Sequence, residues 1–371
     1  MKFSKISDEA VEELRSRIGK PVQRVTLPTF TEINADAARH FAFAIGDDNP
    51  LWLDAEYAAS TRWKNLLAPP SILYSTDNVV SGAVEGLPSV HAMYSGTNWK
   101  WFEPIRVGTK MKTSSTLQGM VEHQTRFAGR AFQQIYMTEF FDQHGTKLAE
   151  AESWCFRTER DTAREEGTKY HHSNEKPVVY TDAEIREFAA QYMQERPLGK
   201  ERRLWENVRE GDLLPPLLKG PYTVTAAVAF MQAWGAYTIR NHRMAWQYYD
   251  RHPKLAPPND NNVPEPPVRV HWDNEFAKRV GVPGAYDFGP ERIAWVSQML
   301  TDWIGDDGFL RRLDVQIRRH NVVGDIVWCR GKVVGKRMED GRAIVECEVW
   351  GENQNGELSV KGTAEVELPL T

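Results

Sequence analysis

Cysteine is scarce in this sequence. Cys155, Cys329 and Cys347 are an odd set with no Cys-x-x-Cys pair. That excludes a disulfide framework and a structural zinc site, and it fits a reduced, cytoplasmic chain. Long apolar runs are also missing, and no stretch approaches the roughly 20 residues that cross a bilayer. There is no G-x-G-x-x-G, so a dinucleotide fingerprint is excluded, and no redox cofactor or metal is expected. The His171-His172 pair has no further ligand spacing and reads as solvated loop. Charge of neither sign dominates. A net charge of −5 and a pI near 6.1 argue against nucleic-acid and membrane partners. The opening MKFSKISDEAVEELRSRIGK carries charges throughout. It reads as an amphipathic helix capped by Ser7 and stopped at Gly19, not as a signal peptide.

What is present is bulk. The 371 residues, 41% of them hydrophobic, can bury a full core, and the length suggests two domains. Thirteen tryptophans are many, and core is the expected place for most. Asn34 should cap a helix to about Ile45. Gly46-Asp47-Asp48-Asn49-Pro50 then forms a sharp turn, because Pro drives its predecessor out of helix. That turn presents Asp47 and Asn49 between two helix ends, a placement suited to acid/base work. A further helix is expected from Pro69-Pro70-Ser71 through SILYSTDNVV. From His91 to Arg157 alternation with turn signals predicts four antiparallel strands. Thr181 to Glu184 is a capping box opening one helix in a charged stretch.

An internal repeat is the strongest signal. Gly19-Lys20-Pro21, read as a leading strand over 19–30, is echoed at Gly211 to Pro216. TEINADAARHFAFAIG matches PYTVTAAVAFMQAWG, so Gly46 lies opposite Gly235. Trp52-Leu53-Asp54-Ala55-Glu56-Tyr57-Ala58 matches His271-Trp272-Asp273-Asn274-Glu275-Phe276-Ala277. The strands match from VGTKMKT and VGDIVWC onwards. Two such units should lie side by side with their sheets joined, an arrangement that removes two exposed edges.

Gly46-Asp47-Asp48-Asn49-Pro50-Leu51, with the Asp-x-x-Tyr-Ala helix start, resembles the signature of MaoC-like (R)-specific enoyl-CoA hydratases and dehydratases. The resemblance implies an α+β double hotdog. Residues 1–160 would form the first hotdog, 161–200 a linker with one helix, and 201–371 the second hotdog with an insert at 237–270. It implies a lyase that hydrates a 2-enoyl-CoA or dehydrates a 3-hydroxyacyl-CoA, with coenzyme A as part of the substrate. A homo-oligomer is expected. In the family an Asp and a His activate one water. Here Trp52 stands at the His position of the first copy, while the second copy has His271 and Ala236 in place of the Asp.

Three readings stay open. In the preferred one, His271 is the base, with a carboxylate from Asp250, Asp260 or Asp287. In the second, Asp47 and Asn49 act without a His. In the third, the protein binds acyl-CoA or supports a partner without catalysis. GVPGAYDFGPERIAWVSQMLTDW favours the second copy. Ile293, Val296, Leu300 and Ile304 share one helical face, and the amides of Gly289 and Glu291 at the helix start suit an oxyanion. Tyr286 and Trp52 are expected to face substrate. Arg318 or Arg319 is a candidate for a coenzyme A phosphate, although a solvated strand face is the plainer account. WIGDDG is a helix-to-strand turn, too short for a calcium loop. The insert suggests a bulky acyl group. A hotdog thioesterase, with Asp287 as its carboxylate, is the competing enzyme class.

Overall fold

The computed structural model describes residues 6–24, 27–82, 86–87, 91–125, 129–158, 178–235, 239–253 and 256–371. The His171-His172 pair and Ala236 lie outside them.

Helix α1 (Asp8–Arg15) is capped by Ser7, whose hydroxyl accepts from the Ala10 amide. Strand β1 (Glu32–Ile33) leads into α2 (Ala35–Ile45), which begins at the Asn34 cap and ends at Gly46 with φ 66°. A left-handed residue is what stops a helix in this way, and glycine takes it without strain. Two short helices follow, α3 (Pro50–Leu53) and α4 (Ala55–Ala59). Then come β2 (His91–Trp101), β3 (Thr109–Lys110), β4 (Lys112–Thr125), β5 (Gly129–Phe141) and β6 (Lys147–Thr158).

Helix α5 (Asp182–Tyr192) carries the expected Thr181–Glu184 capping box. It is not a free linker. Phe188 packs on Leu218 and Ile326, and the Tyr192 hydroxyl donates to the Gly220 carbonyl at 2.5 Å. The second unit runs β7 (Leu213–Lys219), α6 (Val224–Trp234), α7 (His242–Arg251), α8 (Asn274–Arg279), α9 (Gly289–Ile304), β8 (Phe309–Ile317), β9 (Val327–Glu339), β10 (Arg342–Asn353) and β11 (Leu358–Glu367).

The two units repeat each other at the level of caps. Helices α2 and α6 are each 11 residues long, capped by Asn34 and Thr223, and both end on a left-handed glycine, Gly235 having φ 77°. Asp54 caps α4 as Asp273 caps α8, with nearly the same backbone angles. Trp52 and His271 each stand two residues before that aspartate, so they occupy equivalent places. Strands β1 and β3 pair with each other, and the other nine form one antiparallel sheet in the order β4-β5-β6-β2-β8-β11-β10-β9-β7. The halves meet where β2 pairs with β8, Thr97 opposite Val315 and Trp99 opposite Leu313. One core crosses this seam and includes Phe41, Trp99, Phe230, Trp295, Leu300 and Val349. Burial of each such side chain contributes about 1.5–3 kcal/mol.

Two expectations are corrected. Among the described residues the leading strand over 19–30 is reduced to a single bridge, Pro21 to Thr116, whereas its counterpart β7 pairs with β9 on both sides of an irregularity between Leu214 and Leu217. Pro21 and Pro28 lack the N–H groups a ladder needs. The long helix expected after Pro69-Pro70 is only a six-residue 3-10 turn, Pro70–Ser75. Side chains there satisfy the backbone locally. Thr76 donates to the Leu73 carbonyl, and Asp77 accepts from the Val79 amide. Such bonds compete with helix. The equivalent α9 keeps all 16 residues and lies buried nearly along its whole length. Among the described residues no helix is long and apolar enough to cross a membrane.

Candidate active site

The Asp-Asn-Pro turn forms as its residues demand. Asn49 caps α3 by accepting from the Leu51 amide, and Asp47 accepts from the Asn49 amide at 3.0 Å. Trp52 completes the turn, since its indole N–H donates to the second Asp47 oxygen at 2.9 Å. Asp47 is only 3% exposed. Burial pushes its carboxyl up to about 6, against the pull of the Asn49 amide, the Lys219 ammonium and the Trp52 N–H. Lys219 comes from β7 in the other half. Its ammonium donates to the Ile45 carbonyl at 2.8 Å and to the Gln298 side chain at 2.6 Å, and Gln298 donates to the Gly46 carbonyl at 3.0 Å. The second half therefore holds the end of α2 in place, and a cation at a helix C-terminus is favourable.

A cleft of about 480 Å³, counting the solvent at its open mouth, lies beside this turn. Asn49, Trp52, Trp63, Trp101, Thr301 and Leu310 line it, so it draws walls from both halves. Asp47 is not among the lining residues. Pro70 is, and it stands where the second half has Gly289. Neither Pro69 nor Pro70 has an N–H to offer, so this half has lost both the imidazole and the first amides of a central helix.

In the second half His271 ends a 3-10 turn (Pro267–His271). Its Nδ1 faces the Tyr286 carbonyl at 2.8 Å, so Nδ1–H donates and Nε2 keeps its lone pair. The ring stacks on Phe288 at 3.8 Å between centroids and lies 4.5 Å from the Tyr286 ring. Burial pulls the imidazole down to about 4, so it is neutral at physiological pH. Phe288 is the residue before α9, and Gly289 gives the first amide of that helix. A Cβ at Gly289 would sit 2.6 Å from the Tyr94 ring and 2.7 Å from Ile317. Glycine is needed here for close approach, and Tyr94 of the first half forms one wall. Its hydroxyl is 2.8 Å from that of Tyr74, which accepts the Trp99 indole N–H at 2.9 Å. Glu291, one turn into α9, accepts from the Tyr222 hydroxyl at 2.9 Å and reaches back to the Phe288 amide. Burial, followed by the Asp287 charge, holds its carboxyl well above the usual range.

None of the carboxylates named for His271 joins it. Asp287 is fully buried and bound to the Arg292 guanidinium through both oxygens, one contact being 2.8 Å, while Asn321 donates to it at 2.8 Å. Its lone pairs serve the ion pair. Asp260 is in a surface pair with Arg279, and Asp250 is exposed. Arg318 is exposed and donates to Gln316, and Arg319 bonds to Glu357. Arg292, Lys219 and Tyr94 had no counterpart in the sequence reading. Only Arg292 left a trace, as charges inside the apolar run FGPERIAWVSQML. Among the described residues no group of three His, Cys, Asp or Glu side chains converges as if to hold a metal.

Residues 20–151 match the family model described as FAS1-like, dehydratase domain region. Over nearly the whole chain the fold is that of a structure named MaoC-like dehydratase. The TM-score is 0.66 at 17% identity, covering 96% of this chain and all of that one. A MaoC domain dehydratase from Chloroflexus aurantiacus superposes at 0.59 with 12% identity, covering 96% of each chain. A conserved hypothetical protein of Mycobacterium tuberculosis, described as having a double hotdog fold, superposes at 0.57 with 10% identity, covering 94% of this chain and 96% of that one. The chain is a double hotdog of MaoC-like architecture, and its first half carries the FAS1-like dehydratase-region pattern. By sequence, a UPF0336 protein of Streptomyces coelicolor is 28% identical over 94 residues, 24% of this chain. The match spans 63% of that relative's length.

Proposed function

We propose that the protein adds water to a 2-enoyl thioester, or removes it from a 3-hydroxyacyl thioester, at the second-half centre. The observation that carries this reading is the placement of His271. Its tautomer is fixed by the Tyr286 carbonyl, and its ring rests on the residue that opens α9. The Gly289 amide then holds the thioester oxygen. Nε2 takes a proton from water as the oxygen bonds to C3, the double-bond electrons move onto the thioester as an enolate, and the imidazolium returns the proton to C2. Such positioned acid/base help supplies roughly 10²–10⁴-fold. Coenzyme A is the proposed carrier. The acyl group is proposed to be bulky, on the length of the insert leading into His271.

One observation favours a second location for the same chemistry: burial has raised Asp47 to about 6, near the pH at which a base works best. The pH–rate profile separates the two. A His271 base, deprotonated above about 4, gives kcat/KM that is flat from pH 5 upward and falls only in stronger acid. An Asp47 base gives a rate that rises through about pH 6. The assay follows the conjugated absorbance of crotonyl-CoA and of an aryl enoyl-CoA alongside free thiol. Absorbance loss without thiol is the expected outcome. Thiol release would instead establish hydrolysis.

A further inference from the structure

We infer that Arg269 is a positioning residue for His271, and that the proline-rich end of the insert is the strut it is bonded to. The inference rests on the reading of His271 as the base. In the first half the turn that carries Trp52 supports itself. Asp47 accepts from the Asn49 amide and the Trp52 indole, and Asn49 caps α3. His271 has no such turn in front of it. The insert separates it from Gly235, and its own 3-10 turn, Pro267–His271, starts without a side-chain cap.

A buried guanidinium takes the place of that turn. Arg269, two residues before His271, is 1% exposed, and arginine is rarely buried so completely unless its donors are used. Its Nη1 donates to the Pro257 carbonyl at 3.2 Å and to Glu265 at 3.1 Å, and its Nη2 donates to the Pro258 carbonyl at 3.1 Å. The same group lies 4.1 Å over the Phe276 ring of α8, with Nε 3.6 Å from the Asp273 carboxylate. Asp273 in turn caps α8 through the Phe276 amide. The side chain therefore ties the insert on one side to the helix that follows His271 on the other. The Arg269 carbonyl closes the turn itself, accepting from the Trp272 and Asp273 amides.

The strut is ordered by its own bonds. The Asn259 side chain accepts from the amides of Asn261 and Val263, and Pro258 bridges to Pro264. Prolines on both arms fix φ, so the carbonyls are held where the guanidinium meets them. Two adjacent carbonyls and a carboxylate suit the planar fork of arginine, and the single ammonium of lysine does not match them. With residues 269–273 held, the His271 ring stays on Phe288 and its Nδ1 stays on the Tyr286 carbonyl. The titratable groups around the ring are Tyr286, then His320 at 4.4 Å from the Tyr286 ring, and Asp287, whose carboxylate is bonded to Arg292.

Arg269→Lys in the full chain tests the inference with two readouts. Imidazole NMR follows the titration of His271, its resonance assigned by absence in His271→Gln. Hydration of crotonyl-CoA gives kcat and KM. Lysine keeps the charge without the fork, so the ring should gain water and its pKa should rise from about 4 to about 5 or above. The value of kcat should fall by up to about 10²-fold with KM little changed, as expected of a displaced base. Glu265→Ala removes one bond at a half-exposed carboxylate and should move both readouts the same way by less. Should Arg269→Lys fail to fold, Glu265→Ala alone decides, and a wild-type titration and kcat there would overturn the inference. An Arg269→Lys chain that melts earlier but keeps the wild-type titration and kcat would also overturn it, leaving a purely structural clamp. If the wild-type chain hydrates no enoyl-CoA, the reading of His271 as base fails by itself. The His271 titration in the two variants then still decides whether Arg269 holds the imidazole.

Discussion

Arg292→Leu should lower the stability of the whole chain by about 3–5 kcal/mol, the loss that follows when a buried ion pair is left with one partner. Asp287 is 0% exposed and takes hydrogen bonds from the guanidinium and from Asn321, in both its side chain and its amide. The guanidinium also donates to the carbonyls of Arg319 and Ser359, the latter at 2.7 Å. Leucine would remove the counter-charge and leave the carboxylate only its two Asn321 donors, and it would take one donor from each of the Arg319 and Ser359 carbonyls, of which Ser359 keeps the Arg318 amide. The double variant Asp287→Leu/Arg292→Leu removes the orphaned charge and should recover part of the loss. Urea midpoints at neutral pH measure both. A double variant no more stable than Arg292→Leu would show that the damage is lost packing, not an unpaired carboxylate. The ion pair anchors the loop between α8 and α9, so it sets where Tyr286 and Gly289 stand.

His271→Ala should reduce kcat/KM for enoyl thioester hydration by roughly 10²–10⁴-fold, with stability little changed at neutral pH. A neutral ring that touches Phe288 and Tyr286 supports little of the core. The pH dependence of stability provides a control for the same side chain. Its folded value of about 4 lies below the unfolded 6.5, so between these limits the unfolded chain binds more protons than the folded one. Stability conferred by the wild-type residue is therefore lost as pH falls from about 6.5 toward 4, on the order of 2 kcal/mol for a ring that keeps some solvent contact. His271→Gln should flatten that segment of the curve. Asp47 runs the other way. Its carboxyl is raised from 3.8 to about 6, so the buried group weakens the fold as pH rises through that interval. Asp47→Asn should remove this second slope without the large loss of rate expected of His271→Ala. Should Asp47→Asn abolish hydration while His271→Ala keeps it, the base belongs to the first half.

The duplication was legible because caps and stops are local. Asn34 and Thr223 begin helices for the same reason, Gly46 and Gly235 end them for the same reason, and Asp54 and Asp273 open the short helices that follow the site. Strand alternation gave the meander, and the joining of the two sheets edge to edge followed from the need to cover two edges, though not which strands meet there. The asymmetry was harder to read. SILYSTDNVV has apolar residues at helical spacing, but Thr76 and Asp77 satisfy the backbone locally and end the helix after one 3-10 turn. Partners from distant segments were not legible at all. Lys219 reaches α2 from a strand 173 residues away, and Asn321 donates to Asp287 from 34 residues further on. Side-chain pairing of this kind is set by tertiary approach, which no periodicity encodes.

The two halves retain one architecture and have diverged in chemistry. The first keeps the carboxylate turn and replaces imidazole with indole and glycine with proline. The second keeps imidazole and the helix start, and Asp287 beside them is committed to Arg292. A crystal structure of His271→Ala with unreacted enoyl-CoA tests this division most directly. The thioester oxygen is predicted at the Gly289 amide, with C3 facing the space vacated by the imidazole. An enoyl group found only against Asn49 and Trp52 would contradict it.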